Sequence, residues 1–268
     1  MQQYLKQFTN HSQYESYIAT DYAKPNVSYC VQQNEVHYNP IEPPETKLVV
    51  HYNIQDVSSP TTICSQTNGI NSMEVDGVLL ENNVTSYQFN SVGKHIVKYT
   101  FNNPTHVGSS GNYYFGNNIQ TIERIVIGTM FTSIDSYAFY NCPSPIITMS
   151  NNITSLGQQS FTRCNNLTSI ELSNNLINID RETFDSCSGL TTITIPSTIE
   201  EIGHWVFNRC TSLISVTILA TTPPTLGSGV FDNTNNCPIY VPAESVDVYK
   251  AASGWSTYAS RIQAIPTT

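Results

Sequence analysis

The residues of this chain best spaced for chemistry are its cysteines. Four of the seven, Cys142, Cys164, Cys187 and Cys210, recur at intervals of 22 or 23 residues, and Cys237 follows after a longer interval. Thiolates bind zinc when they come in close pairs such as C-x-x-C, and they form disulfides mainly in small secreted chains that cannot build a core. Here no two cysteines make a C-x-x-C, each of the five stands in a different segment, and 268 residues are enough for a core without staples. The column is therefore expected to consist of small buried thiols that fill an interior.

The other chemistry-bearing residue types show no constellation. The six histidines, at 11, 37, 51, 95, 106 and 204, are scattered, and none pairs with a His, Cys, Asp or Glu at ligand spacing. His204 stands at a variable repeat position and is expected to be a solvated surface residue. No G-x-S-x-G, phosphate-binding loop, H-E-x-x-H or dinucleotide fingerprint occurs, and no two carboxylates recur at a spacing that would oppose them. These observations point away from an enzyme and give no reason to expect a catalytic residue, a metal or a cofactor. Twenty acidic residues against 11 basic ones leave a net charge of -9, and without a basic cluster this excludes nucleic acid as a partner. No apolar run of about 18 residues could span a bilayer. MQQYLKQFTNHSQY lacks the basic and apolar regions of a signal peptide, and a chain opening on Met1 leans towards a protein that does not use that route.

The elements that position the cysteines emerge from a second residue type in the same period. Phenylalanines fall at 115, 139, 161, 184, 207 and 231, and the first four cysteines of the column follow Phe139, Phe161, Phe184 and Phe207 by three residues. Apolar positions before each Phe align as well: Leu190, Ile193, Ile195, Ile199 and Ile202 before Phe207, and Leu167, Ile170, Leu172, Leu176 and Ile179 before Phe184. The unit is L-x-x-I-x-I-P-x-x-I-x-x-I-G-x-x-x-F-x-x-C. L-x-x-I-x-I makes a short strand with alternate side chains turned inward, the Pro or Asn after it turns the chain, and I-x-x-I-G-x-x-x-F returns along the far wall. One unit cannot cover its own apolar edge, so the units must stack into a solenoid with capped ends. Fully burying an apolar side chain is worth roughly 1.5 to 3 kcal/mol before entropy is subtracted.

Units such as SGLTTITIPSTIEEIGHWVFNRC, Ser188 to Cys210, resemble the BspA-type (treponemal-type) leucine-rich repeat, over five repeats and a C-terminal cap. The resemblance implies a non-enzymatic fold found in bacterial surface proteins, several of which bind host matrix proteins or other cells. Departures are Gly128 in place of Pro, a shortened second repeat, PSPIITMSNNITSLGQQSFTRC, and Asp135 and Asp180 where Gly is usual. Phe231 to Ile265 resembles the terminal cap of gut Bacteroidetes members of the family: Ile239 and Val241 offer a last strand, Ala243 to Ala252 a helix, and Trp255 and Tyr258 a cover for the open end.

Before the solenoid, KLVVHYNI, NSMEVDGVLL, VTSYQFN and KHIVKYTF alternate apolar and polar residues between Asn-Gly, Asp-Gly and Val-Gly turns, which predicts a small antiparallel, Ig-like sandwich. The first 45 residues carry six tyrosines and one phenylalanine by residue 40, a short helix from Asn10, a hairpin in NVSYCVQQNEVHYN and a linker at Pro40, Pro43 and Pro44. KPNVSYC and NEVHYNP are similar to the starts of proteins of gut Bacteroides and their phages and prophages. The expected organisation is an N-terminal anchoring or oligomerising segment over 1–45, the sandwich over 46–103, the solenoid over 104–237 and a cap over 238–268. The fold class is mainly β with short irregular and 3-10 segments.

In such a solenoid the outward residues of consecutive strands form one surface, the default recognition face of repeat proteins. Its candidate ligand-binding residues are Glu123, Arg124, Thr148, Ser169, Glu171, Thr192, Thr194, Ser215 and Thr217. They are mostly hydroxyls, which suits weak binding made firm by many copies. The expected partners are a cell-surface glycan or protein, with virion proteins or a second copy reached through residues 1–45. The expected location is a phage virion surface, as fibre or decoration, or a bacterial cell surface; the alternatives are an exported adhesin and a purely architectural virion subunit. If residues 1–45 assemble the protein, light scattering should give the mass of a dimer or trimer for the full chain and of a monomer for a chain lacking them.

Overall fold

The computed structural model describes residues 6–8, 29–31, 47–102, 105–108, 115 and 122–266. Met1–Glu45 and Thr46–Thr268 are two compact units. In the first, β1 (Lys6–Phe8) pairs in parallel with β2 (Tyr29–Val31), Lys6 opposite Tyr29 and Phe8 opposite Val31. The helix expected from Asn10, the return arm of the hairpin and the proline linker lie outside the described residues.

The second unit opens with the alternating segments. β3 (Leu48–Ile54), β5 (Ile70–Val75), β6 (Val78–Leu79) and β8 (Gly93–Phe101) form an antiparallel sheet in the order β6-β5-β8-β3, and β4 (Thr61–Thr62) pairs with β7 (Ser86–Tyr87) in a separate ribbon. The Asp76-Gly77 turn between β5 and β6 has both residues at positive φ, 48° and 86°, as a tight hairpin of this twist requires. Alternation turns Leu48, Val50, Tyr52 and Ile54 into the core together with Val97, Tyr99 and Phe101. The hydroxyls of Tyr52 and Tyr99 both donate to the carbonyl of Ile63, the latter at 2.7 Å, so burying two phenols leaves neither unpaired.

Sheet pairing runs without a seam from residues 46–103 into the solenoid. The free edge of β3 pairs antiparallel with β10 (Ile122–Ile127), the first of the parallel strands, and β10 continues to β12 (Ile146–Met149) and β14 (Ser169–Glu171) in one seven-stranded sheet. The wall resumes with β16 (Thr192–Ile195), β18 (Ser215–Ile218) and β20 (Ile239–Val241). A second wall is made of two-residue strands: β9 (His106–Val107), β11 (Ser133–Ile134), β13 (Ser155–Leu156), β15 (Asn178–Ile179), β17 (Glu201–Ile202) and β19 (Thr225–Leu226). Identical repeat positions face one another across the coils, so Ile125, Ile147 and Ile170 form one row and Ile193, Val216 and Ile239 another.

The third wall carries the F-x-x-C motif, and it is held by an alternation of hydrogen bonds. Residues two before the Phe, the Phe itself and two after it donate their N–H groups to the next coil: Tyr137, Phe139 and Asn141 to the carbonyls of Gln158, Ser160 and Thr162, and Glu182, Phe184 and Ser186 to His204, Val206 and Asn208. The residues between them donate three positions back within their own coil. This alternation forces two left-handed residues per coil. Tyr137, Gln159, Glu182 and Trp205 before the Phe, and Asn141, Arg163, Ser186 and Arg209 after it, have φ between 54° and 66° although none is glycine. A side chain in that region costs about 1–2 kcal/mol, offset here by the bonds between coils.

Phe139, Phe161, Phe184, Phe207 and Phe231 stack with centroids 5.3–5.7 Å apart and planes within 8° of parallel, and Phe115 extends the stack. Both ends are closed edge-to-face, by Tyr99 on Phe115 and Tyr258 on Phe231. Trp255 also lies against Phe231 and donates its indole N–H to the carbonyl of Pro224 at 2.7 Å. The expected terminal helix is a 3-10 turn, Ala243–Ser245, followed by α1 (Val246–Ala251), and Trp255–Arg261 is a further 3-10 segment. A last strand, β21 (Ile262–Ala264), adds to β20, a pairing the sequence pattern does not announce. Truncating the middle of the stack, Phe184→Ala, should lower the unfolding free energy in urea by about 3–5 kcal/mol. Arg209→Gly, at an exposed left-handed position, should cost nothing or gain up to about 1 kcal/mol in the same assay.

Candidate functional site

The strand wall turns Ile147, Ile170 and Ile193 inward and the alternate residues outward. In register, Val126, Thr148 and Glu171 make one outward row, and Thr194, Thr217, Tyr240 and Gln263 make a second beyond it. Ser169, Glu171, Thr192 and Thr194 are exposed, while Thr148, Ser215 and Thr217 are half-buried between neighbouring coils.

Between β14 and β16 the strand ladder is interrupted. Thr191 N–H still reaches the carbonyl of Thr168 at 3.1 Å, but the paired strands stop at Glu171 on one side and begin again at Thr192 on the other. The interruption opens a shallow groove of about 440 Å³ lined by Thr148, Ser169, Glu171, Thr192 and Thr194 over a floor that includes Ile170 and Ile193. Five of the nine residues singled out from the sequence thus meet in one place. Ser215 and Thr217 stand beside Thr192 and Thr194 in register, outside the groove lining. Glu123 and Arg124 lie at the far end: Glu123 is 3.5 Å from Nζ of Lys94, and Arg124 faces His51 across the β10–β3 pairing. Glu171 is the one ionisable side chain of the groove, so its chemistry is hydroxyl and carboxylate hydrogen bonding over an apolar floor.

The cysteine column does different work from that of a reactive site. Sγ of Cys164 donates to the carbonyl of Phe139 at 3.1 Å, Cys187 to Phe161 and Cys210 to Phe184 at the same distance. Each of those carbonyls also receives the N–H of the Cys in its own coil, at 3.0–3.2 Å. The thiols therefore tie consecutive coils together, a role beyond filling space that the spacing alone does not disclose. Burial pushes the thiols of Cys142 and Cys187 well above their usual range and that of Cys210 up to about 12. Among the described residues no group of three His, Cys, Asp or Glu side chains is placed to hold a metal ion. No described helix is long and apolar enough to cross a membrane.

The wall of parallel strands, the periodic Phe core and the open strand face define a leucine-rich-type solenoid. The sequence model of the BspA type leucine rich repeat region matches residues 63–146 and 108–238, together about two thirds of the chain, and the chain belongs to that family. Of solved structures, it is similar to a leucine rich cell surface protein from Faecalibacterium prausnitzii (22% identity, TM-score 0.43, covering 59% of this chain and 40% of that one). It is also similar to the pneumococcal vaccine antigen PcpA (17%, TM-score 0.45, covering 62% and 44%). This chain spans less than half the length of either. No curated protein matches it.

The thiol geometry has a pH consequence. The folded chain holds protons that the unfolded chain releases near the ordinary thiol value of 9.0, so stability is complete below about pH 9 and falls as pH rises towards 12. Urea titrations at pH 7.5 and 10.5 should show that loss, and a disulfide reagent at pH 8 should label Cys142, Cys187 and Cys210 only after unfolding.

Proposed function

We propose that this protein is a non-enzymatic recognition module displayed on a surface, binding a glycan or a protein through the outward face of the solenoid. The observation that carries the proposal is the groove at the β14–β16 interruption, where residues of three successive coils bring hydroxyls and one carboxylate over an apolar floor. Membership of the BspA-type family supports surface display. The groove is shallow and lacks the Trp, Tyr and Arg anchors of tight interfaces, so the affinity of one copy is low and attachment comes from several copies together. A phage fibre or decoration, and a bacterial surface adhesin, both supply such copies.

A biotinylated chain tetramerised on streptavidin and applied to intact bacterial and epithelial cells tests this. The tetramer is expected to bind at least one cell type, the monomer weakly, and Glu171→Lys together with Thr192→Lys should abolish retention without changing the melting temperature. No retention of the tetramer on any cell would instead favour an architectural subunit, and retention that survives both substitutions would overturn the strand face as the contact.

A further inference from the structure

The three walls of the solenoid do not end together. On the strand wall the stack is prolonged by β20 and then β21, each hydrogen-bonded to the strand before it. On the turn wall the last coil is that of Phe231, and the N–H groups that the coils of Phe139, Phe161, Phe184 and Phe207 hand on have here no following coil to receive them. Phe231 N–H finds the hydroxyl of Tyr258 at 3.4 Å. Gly229 and Asn233, the equivalents of Trp205 and Arg209 in the coil before, have no acceptor for theirs among the described residues. In place of the missing coil is a notch of about 610 Å³ with Phe231 at its base and Asp232, Asn233, Asn236, Tyr258, Ser260 and Arg261 around it.

Three properties set this notch apart from the strand face. It combines a guanidinium and a carboxylate that face the same space without an ion pair between them. Arg261 is held by its Nε–H donating to the carbonyl of Cys237 at 2.9 Å and by rings on two sides, Phe231 and Tyr258, each 5.6 Å from Cζ. Aromatic carbon lies beside these polar groups, and Tyr258 stays a neutral hydroxyl because burial, with the Asp232 carboxylate adding to it, raises its pKa. Donors and acceptors are interleaved: Asp232 and the Asn amides accept, while Ser260, the Asn233 N–H and Nη1 of Arg261 donate. Nε and Nη2 of Arg261 are held by Cys237 and Thr234, and the Tyr258 hydroxyl by Asp232 and the Phe231 N–H.

We infer that the notch is a binding site for one or two sugar units of a glycan. A sugar ring carries neighbouring hydroxyls that donate to a carboxylate and accept from a guanidinium at once, and its C–H face suits an aromatic wall. The volume lies in the range of small-ligand sites. A simple anion would meet Asp232 in the same space, and an extended peptide would find its middle carbonyl position already taken by the Tyr258 hydroxyl. The inference rests on the recognition role proposed above and places one contact of that role at the C-terminal end of the turn wall.

The test is amide chemical-shift mapping on the full ¹⁵N-labelled chain. The probes are methyl β-D-galactopyranoside, methyl α-D-mannopyranoside, N-acetylglucosamine and galacturonic acid, with sodium acetate and a blocked tetra-alanine peptide alongside. At least one sugar is expected to shift the Gly229, Asn233 and Ser260 amides in a saturable manner. Asp232→Asn and Asn236→Gly, both at exposed side chains and the second at a left-handed position that glycine adopts freely, should each weaken that binding at least about tenfold with the melting temperature not lowered. Equal shifts with acetate and none with neutral sugars would make this an anion site and overturn the inference, as would saturable binding of the peptide alone or no shift with any probe. Sugar-induced shifts confined to Glu171, Thr192 and Thr194 would also overturn it while leaving the recognition role standing.

Discussion

Every coil of the turn wall must present N–H groups to carbonyls of the next coil at every second residue, and the rest of the structure depends on that requirement. A backbone can do this while turning tightly only if the residues flanking the Phe by two positions enter the left-handed region. Once they do, the Phe between them is directed inward, one ring above another. The Phe carbonyl is left facing both the N–H of its own Cys and the thiol of the next coil. F-x-x-C is therefore a hydrogen-bonding unit as much as an apolar one, and a Cys serves where a larger apolar residue could not donate.

The same requirement explains the glycine column and its exceptions. At Gly157, Gly203 and Gly227 an added Cβ would stand 2.3–2.8 Å from backbone nitrogen of the preceding coil. Asp135 and Asp180 occupy the same position in two other coils, each with a glycine in the coil that follows, so close approach is preserved with at least one of each neighbouring pair lacking a side chain. Asp180 uses its carboxylate to accept the N–H of Arg181 at 2.6 Å, which helps to fix the turn. Gly229 is open for a different reason: the indole of Trp205 lies where its Cβ would be, with Arg181 over that ring at 4.7 Å.

A stack that repeats must end, and its ends are where its surface chemistry changes. At the start, the antiparallel strands of residues 46–103 offer β3 as partner to β10, so the wall meets a sheet rather than water. At the finish, α1, the 3-10 segment after it and β21 cover the strand wall and the apolar interior, while the turn wall is closed only by the rings of Trp255 and Tyr258. Between the ends, the strand face is rich in hydroxyls, and a recess opens where the β14–β16 ladder parts.

The sequence by itself determined the solenoid, its period, the direction of each apolar side chain and the outward set Thr148, Ser169, Glu171, Thr192 and Thr194. These follow from spacing alone, because one residue in register dictates its equivalents in every coil. Alternation in KLVVHYNI and KHIVKYTF likewise disclosed β3 and β8, but not that β3 would pair with β10. That pairing is between segments far apart in the chain, and period two says which face is buried without saying which strand lies alongside. Only the tertiary structure decided that the thiols donate to Phe carbonyls and that the ladder parts beside Glu171. It alone showed that Asp232, Tyr258 and Arg261 converge on the vacant end of the turn wall. Trp255 and Tyr258 were legible as a lid from their apolar character. What a lid leaves uncovered depends on where three walls stop relative to one another, and no local pattern of residues records that.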